Sequence, residues 1–178
     1  MFEDYIQDAY SFYELGIAST EEKDERKAKM YFRASVFCAA SSLEAFVNFI
    51  GNTFKQGNRL DKIEIAFLND LSLEIAPNKA SIEERQKYNS IESKIKFILK
   101  KFNVPLEIST ASQWRDFLDF KEFRNGLIHN REISDENEIL EYKNSISKGL
   151  NANIDIMNAI SKKLFNNSLR QGLLDLKI

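Results

Sequence analysis

Glycine and proline are scarce in this chain, and their scarcity constrains the fold more than any other feature of the sequence. Only 6 glycines and 2 prolines interrupt 178 residues. A fold of many short strands needs a turn roughly every 8–12 residues, and glycine and proline are prominent among the residues that form those turns. Because 43% of the residues are hydrophobic and can fill a core, the composition predicts an ordered all-α chain.

Helical periodicity divides the chain into about five to six helices. The segment after Ser19 becomes apolar on nearly every side between Tyr31 and Ile50, so it is expected at the centre of a bundle, ended or bent by Gly51 and then Gly57-Asn58. The other predicted helices cover residues 2–18, 61–75, 81–102, 110–129 and 135–165, the last a rod of roughly 45 Å. We therefore predict an up-and-down helical bundle in a single domain, residues 1–165, followed by a tail at residues 166–178 whose leucines can dock.

Charge and the scarce residue types limit the chemistry that we expect. A net charge of −2 and a pI near 5.6 do not fit a protein that coats nucleic acid by general positive charge, so any RNA contact must be local. One histidine and one cysteine, Cys38, cannot form a zinc site within one chain, and there is no glycine-rich phosphate loop. We expect neither a metal nor a cofactor.

The same composition bears on localisation. Cys38 cannot form an internal disulfide, which favours a reducing, cytoplasmic setting. No stretch approaches about 18 uninterrupted apolar residues, and the first residues are not a basic segment leading into a hydrophobic one. The sequence therefore predicts neither secretion nor a membrane span.

The segment from Trp114 to His129 contains the only tryptophan and the only histidine of the chain. Its apolar residues predict a helix with a wide buried face, and Arg124 lies five positions before the histidine. On a regular helix the directions of Arg124 and His129 differ by roughly 140°, whereas Asn125 and His129 share a face. Arg124 and His129 can therefore act on one point only if the helix loosens near Gly126, or if a second copy of the chain contributes across a two-fold axis.

This segment resembles the HEPN superfamily, whose motif is an arginine, about four to six further residues and a histidine, often with an asparagine directly after the arginine. The matching residues are Arg124-Asn125-Gly126-Leu127-Ile128-His129. The stretch at residues 39–48 resembles the packing helix of the family and places an acidic residue, Glu44, near the motif. The likeness covers two helices of the chain.

The resemblance implies a HEPN-like bundle and a metal-independent endoribonuclease whose composite site lies at a homodimer interface. His129 would act as acid and base, Arg124 would bind the phosphate, and Asn125 would orient its neighbours by hydrogen bonding. Two protomers supply two histidines, and this is needed because one histidine cannot be both acid and base in one step. Glu44 would hold Arg124 in place.

The resemblance also implies partners and a biological setting. RNA would be the substrate, and an antitoxin or another protein would be a further partner, in a toxin–antitoxin, phage-defence or stress system. Some HEPN toxins carry a tyrosine two residues after the histidine, which a partner nucleotidyltransferase modifies. Arg131 occupies that position here, so that mode of regulation is not expected.

Basic residues form a second candidate surface. Lys94, Lys96, Lys100 and Lys101 are expected to stand outside the bundle, where they and Arg131 are candidates for RNA binding. The alternative is a solvated helix face whose lysines favour the C-terminal end of the helix dipole.

The other hypotheses also have structural alternatives. His129 can be a helix C-terminal residue stabilised by the dipole, while Arg124 pairs with Glu122, Asp119 or Glu44, and Glu44 can be an exposed acid on a narrow polar stripe. The aromatic residues beside them are expected to be core rather than a surface on which bases stack. Two further functions stay open: a non-catalytic HEPN-like module that binds nucleotide, RNA or protein, and a structural dimer whose interface the arginine and histidine seal.

Overall fold

The computed structural model describes residues 1–56, 59–76, 81–106, 111–128 and 137–178. Within these residues the chain forms seven helices and one antiparallel strand pair, which confirms the predicted all-α class with a small addition. In chain order the elements are α1 (Phe2–Glu21), α2 (Glu25–Gln56), α3 (Lys62–Leu68), β1 (Leu71–Ala76), β2 (Ser81–Gln86), α4 (Ile91–Lys101), α5 (Ser112–Ile128), α6 (Glu138–Phe165) and α7 (Gln171–Leu174).

The chain divides into two compact units. Unit 1 comprises residues 1–43 and 104–178, and unit 2 comprises residues 44–103. Helix α2 is continuous through the boundary and contributes residues to both units. The predicted tail, residues 166–178, belongs to unit 1.

Two glycines let helices of unit 1 approach closely. A Cβ atom added to Gly16 of α1 would lie 2.5 Å from the ring of Phe32 in α2, and one added to Gly149 of α6 would lie 2.2 Å from the ring of Phe120 in α5. Both rings fill space that any larger residue in place of the glycine would need. These contacts fix how α5 packs on α6 and how α1 packs on α2.

Buried polar side chains connect the helices of unit 1. The Ser35 hydroxyl donates a hydrogen bond of 2.7 Å to the carbonyl oxygen of Ala9, and the Asn153 amide donates one of 2.9 Å to the carbonyl oxygen of Ala39. Ser35 and Asn153 are buried, and burying the hydroxyl of Ser35 or the NH₂ group of Asn153 without an acceptor would cost free energy. Each bond therefore specifies one packing of the two helices it joins.

The chain after α6 docks on unit 1 as predicted. Leu169 and Leu173 are buried. The Asn151 side chain donates to the carbonyl oxygen of Ile178 at 2.7 Å and accepts from its backbone N–H at 2.9 Å. The segment therefore has both an apolar anchor and a polar anchor.

Asp70 organises the junction between helix and strands in unit 2. It has φ = 58°, a left-handed conformation that aspartate tolerates better than most residues. Its carboxylate accepts hydrogen bonds of 2.8 Å from the backbone N–H of Asn89 and 2.6 Å from the ammonium of Lys94. Its carbonyl oxygen accepts one of 2.8 Å from the N–H of Lys87. One residue thus ends α3 and ties the base of the hairpin to the start of α4.

The strands correct the helices predicted at residues 61–75 and 81–102. Helix α3 ends at Leu68, and β1 pairs with β2 from Leu71 opposite Gln86 to Ala76 opposite Ser81. The predicted capping box at Ser81 is therefore wrong, because that residue begins a strand. The alternation of apolar and polar residues in the sequence LSLEIA has the period of a strand, and it overrides the helical reading.

Other helix ends also differ from prediction. Helix α2 starts at Glu25, where the carboxylate of Asp24 accepts from the N–H of Lys27 at 3.0 Å. It passes Gly51 and ends at Gln56, directly before the predicted Gly57-Asn58 end. Ser19, predicted as the cap, is buried within α1. The predicted caps at residues 110 and 134 lie outside the described residues.

Helix α2 is long and apolar enough to cross a membrane by length and composition alone. The segment Glu25–Lys55 contains an 18-residue window of mean hydropathy 1.4, of which 50% is buried inside the protein. Core helices of globular proteins share these features, so the expected absence of a membrane span stays a prediction.

Candidate functional site

Helix α5 carries the candidate site at its C-terminal end and a buried aromatic face along its length. The buried residues of α5 are Trp114, Phe117, Phe120 and Phe123. Trp114 is only 4% exposed, and its ring lies 5.1 Å from that of Phe117. The interpretation of these aromatics as core is confirmed, and they anchor the helix that carries Arg124.

An aromatic stack holds the end of α5 against two other helices of unit 1. The ring of Phe123 meets that of Tyr142 in α6 edge to face, with centroids 5.5 Å apart. The other side of Tyr142 stacks on Phe32 of α2 at 5.9 Å. Because Phe123 directly precedes Arg124, this stack sets the position of the backbone from which the Arg124 side chain projects.

The guanidinium of Arg124 has little to bind within the described residues. One Nη1 donates to the side-chain oxygen of Asn125 at 3.3 Å, and the buried Nε has no hydrogen-bond partner. Glu122, one of the predicted alternative partners, instead lies 3.5 Å from the ammonium of Lys121. In the part of the chain that the structure describes, no carboxylate pairs with Arg124, so its charge is not neutralised by the protein there.

The structure brings together two of the three predicted catalytic residues. Arg124 and Asn125 are neighbours joined by a hydrogen bond. His129 and Arg131 lie outside the described residues, so the approach of His129 to Arg124 stays a prediction.

Glu44 lies on α2 with its side chain exposed. It is the first residue of unit 2, whereas Arg124 belongs to unit 1. Its exposure fits the alternative of an acid on a polar stripe, and its predicted role in holding Arg124 stays a prediction.

The lysine cluster of α4 does not stand wholly outside the bundle. Lys94 is 5% exposed and bonded to Asp70, so the expectation that it faces solvent is wrong. Lys96 pairs with Glu92 at 2.7 Å, and Lys101 pairs with Glu64. Among the described residues, only Lys100 of the four is exposed without an ion pair. Lys94 is buried because its ammonium satisfies the carboxylate that turns the chain after α3.

The tyrosine of the aromatic stack carries a polar group that the sequence analysis missed. Burial raises the pKa of Tyr142 above its usual value, the charge of Glu138 raises it further, and the charge and hydrogen bond of Arg33 and the charge of Lys29 partly oppose the rise. The hydroxyl is therefore neutral at physiological pH. Helical spacing could have revealed Tyr142, which lies three residues after Ile139 and four before Ile146 in the apolar stripe of α6.

Two further observations concern where the described residues could hold a metal ion or a small molecule. They contain no group of three or more histidine, cysteine, aspartate or glutamate side chains that could hold a metal ion. A surface pocket of about 440 Å³ lies near the start of α5, away from the predicted site, and is lined by Pro105, Leu106, Gln113, Asp155, Asn158, Ala159, Lys162 and Lys163.

Comparison of the chain with protein-family models, with curated proteins and with solved structures finds no match.

Proposed function

We propose that this chain is a HEPN-type, metal-independent endoribonuclease that acts as a homodimer in a toxin–antitoxin, phage-defence or stress setting. The observation that carries the proposal is the state of Arg124. Its guanidinium is half-buried, has an unsatisfied Nε and pairs with no carboxylate in the described residues. If Arg124 had only a structural role, it would be expected to pair with an acidic side chain. No such pair is found among the described residues.

An uncommitted arginine suits a phosphate ligand. Guanidinium groups bind phosphate oxygens through paired N–H donors, and an unneutralised charge stabilises the extra negative charge of the transition state. The hydrogen bond to Asn125 uses Nη1 and the Nε is buried, so Nη2 is the donor group left for the substrate. The aromatic stack through Phe123 limits how far the backbone at Arg124 can move, and such preorganisation lowers the cost of reaching the transition state.

In the proposed reaction the 2′-hydroxyl oxygen attacks the adjacent phosphorus. A neutral His129 takes the hydroxyl proton, the bond from phosphorus to the 5′-oxygen breaks, and a protonated His129 of the partner subunit gives its proton to that oxygen. The products are a 2′,3′-cyclic phosphate end and a 5′-hydroxyl end. Arg124 stabilises the charge on the phosphoryl oxygens throughout.

The test is incubation of purified protein with total RNA in EDTA, followed by mapping of the cut ends. We expect cleavage by the natural protein that leaves cyclic phosphate ends and falls by about 10²-fold or more in His129→Ala and in Arg124→Ala. Arg115→Ala is the matched control, because Arg115 is an exposed arginine of the same helix.

Equal loss of cleavage in Arg115→Ala would count against a specific role of Arg124. Absence of cleavage by a folded dimer that still binds RNA would favour the non-catalytic binding module instead. Cleavage abolished by EDTA would remove the metal-independent mechanism.

A further inference from the structure

Helix α2 presents a stripe of side chains to solvent, on the side opposite its buried face. The stripe repeats at intervals of four and three residues, which is the spacing of a coiled-coil seam, and it spans about 80° of arc on a regular helix. Its members are exposed or half-buried, and they are Met30, Ala34, Phe37, Ser41, Glu44 and Asn48. Met30 is 50% exposed and Phe37 is 40% exposed, so the described residues leave large apolar side chains of this stripe open to solvent.

The stripe is unusually apolar for a face in contact with water. An 18-residue window of α2 has a mean hydropathy of 1.4, and only 50% of that window is buried. Between Ala34 and Asn48 the exposed and half-buried positions of α2 carry a single charged residue, Glu44. Solvated faces of helices are usually rich in charged and polar residues, and a contiguous exposed apolar surface marks an interaction site.

The charges beside the stripe fit a second copy of the chain in antiparallel orientation. Arg33 and Glu44 are both exposed, and on a regular helix they lie on the same side of the stripe, near its opposite ends. A two-fold axis that runs between two copies of α2, at right angles to them and level with Ala39, places Arg33 of each copy beside the partner's Glu44. The same contact then occurs twice, as in other two-fold interfaces.

The same axis pairs large side chains with smaller ones. Phe37 of each copy lies opposite the partner's Ser41, and Met30 lies opposite the partner's Asn48, in the layered arrangement of an antiparallel coiled coil. In a parallel pair Glu44 would instead face the partner's Glu44 in the seam, where two like charges repel each other. Shape and charge therefore favour the same antiparallel pairing.

We infer that α2 is a pairing surface for a second copy of the chain, which docks antiparallel along the stripe with Arg33 of each copy bound to the partner's Glu44. The inference rests on the proposed function for the expectation of a homodimer, and it goes beyond it by naming the surface and the orientation. It also assigns Glu44 a partner other than Arg124.

Sedimentation equilibrium measures the dissociation constant of the dimer for the natural protein and for charge-reversal variants. We expect Arg33→Glu and Glu44→Arg each to raise it by about 10-fold or more, because two like-charge contacts replace two ion pairs. The double variant restores both pairs with exchanged charges and should regain most of the natural affinity. Arg115→Glu, at an exposed arginine of α5, is the matched control and should leave the dissociation constant unchanged.

Phe37→Asp tests the apolar part of the surface. It should abolish the dimer while the monomer stays folded, because the Phe37 side chain already faces water in part. Ile63→Asp is the control, because Ile63 is an apolar residue of α3 that is 70% exposed and lies off the stripe.

Crosslinking at the only cysteine of the chain reports the orientation. Cys38 is half-buried beside the stripe and almost level with the axis, so a short bismaleimide should join two natural subunits through it. We expect no crosslink in Cys38→Ser or in Phe37→Asp.

Several results would overturn the inference. A natural protein that stays monomeric at all concentrations has no such pairing surface, and a monomer that binds lipid vesicles through Phe37 uses the stripe as a membrane contact instead. A double variant that dimerises as weakly as the single variants would exclude the pairing of Arg33 with the partner's Glu44.

The outcomes separate this inference from the proposed function. If the natural protein pairs through α2 but does not cleave RNA, the nuclease proposal fails and the pairing surface stands. If the protein cleaves RNA as a dimer that Phe37→Asp leaves intact, the pairing surface fails and the nuclease stands.

Discussion

Replacing Gly149 should destabilise the protein even when the new side chain is as small as alanine. Alanine gains about 1 kcal/mol of intrinsic helix propensity over glycine, but its Cβ would lie 2.2 Å from the Phe120 ring and 2.8 Å from the Cβ of Phe120. Atoms so near the Phe120 backbone cannot swing aside. We expect Gly149→Ala to lower the free energy of unfolding by about 1–3 kcal/mol, measured by urea denaturation.

Gly172→Ala provides the control, because nothing lies within 4 Å of the Cβ that it would add. It lies in α7 and should leave the stability unchanged or slightly raised. A Gly149→Ala protein as stable as Gly172→Ala would contradict the close packing of α5 on α6.

Tyr142 should make stability fall at alkaline pH. Burial, aided by Glu138, raises its pKa in the folded protein above the usual value of 10.0. As the pH rises past about 10, the unfolded chain loses the tyrosine proton first, which favours unfolding. The stabilising contribution is therefore complete below pH 10 and is lost as the pH rises through the folded pKa.

Comparing the natural protein with Tyr142→Phe isolates this effect. The phenylalanine variant lacks the titrating group, so the difference between their free energies of unfolding should move steadily against the natural protein above about pH 10. A difference that stays constant from pH 8 to pH 11 would contradict this prediction.

In unit 2, the buried ion pair between Asp70 and Lys94 should respond unequally to loss of either partner. The Lys94 side chain is 6% exposed and that of Asp70 is 33% exposed. Asp70→Ala leaves a buried ammonium without a partner and removes the acceptor for the N–H of Asn89, so we expect a loss of about 3–5 kcal/mol. Lys94→Met leaves a carboxylate that water can reach, so we expect about 1 kcal/mol.

Urea denaturation, followed by a spectroscopic signal from unit 2, measures the loss of stability in Asp70→Ala and in Lys94→Met. Asp70→Asn is the intermediate case, because asparagine also tolerates the left-handed conformation and keeps an acceptor for Asn89. Equal losses for Asp70→Ala and Lys94→Met would show that burial of the ammonium does not decide the cost.

The helices were predicted correctly where only the helical period fitted the apolar pattern. The prediction was wrong where a strand period fitted it as well. The apolar periodicity of α1, α5 and α6 located these helices within a few residues. In the segment that follows α3, helical and strand periods both fit a short apolar run, and the deciding feature was Asp70, whose left-handed backbone depends on bonds to residues 17 and more positions later. No local pattern reveals such bonds.

The candidate site was predictable only in part, for a related reason. Arg124 and Asn125 belong to one contiguous motif, so sequence alone could select them. Tyr142 of α6 joins that end of α5 to Phe32 of α2, a helix far from both in the sequence, through ring contacts that no local pattern indicates. The burial of Lys94 likewise follows from its partner on another element, and its spacing on α4 did not indicate it.

For the molecule as a whole, the proposed composite site predicts how activity depends on mixing subunits. If each dimer needs both His129 side chains, a mixture of natural and His129→Ala protein keeps activity only in dimers of two natural subunits. Equal amounts of each should then give roughly one quarter of the activity of the natural protein, because dimers form at random. The measurement is RNA cleavage in EDTA at constant total protein after subunit exchange.

Mixing with Arg115→Ala in place of His129→Ala is the control and should leave activity unchanged. Residual activity near one half in the His129→Ala mixture would mean that each subunit cleaves alone, which would contradict the composite site.

Unit 1 is assembled from two stretches of chain, residues 1–43 and 104–178, with unit 2 between them. Helix α1 packs against α6, which the ribosome makes only after the whole of unit 2. Unit 2 closes shorter loops than unit 1 and should therefore form first, in synthesis and in refolding. We expect pulse-labelled hydrogen exchange to protect the amides of α4 before those of α1, and the reverse order would refute this. Until α6 emerges, the residues of α1 that pack on it have no native partner, so a nascent chain of this design keeps apolar surface exposed while unit 2 is being made.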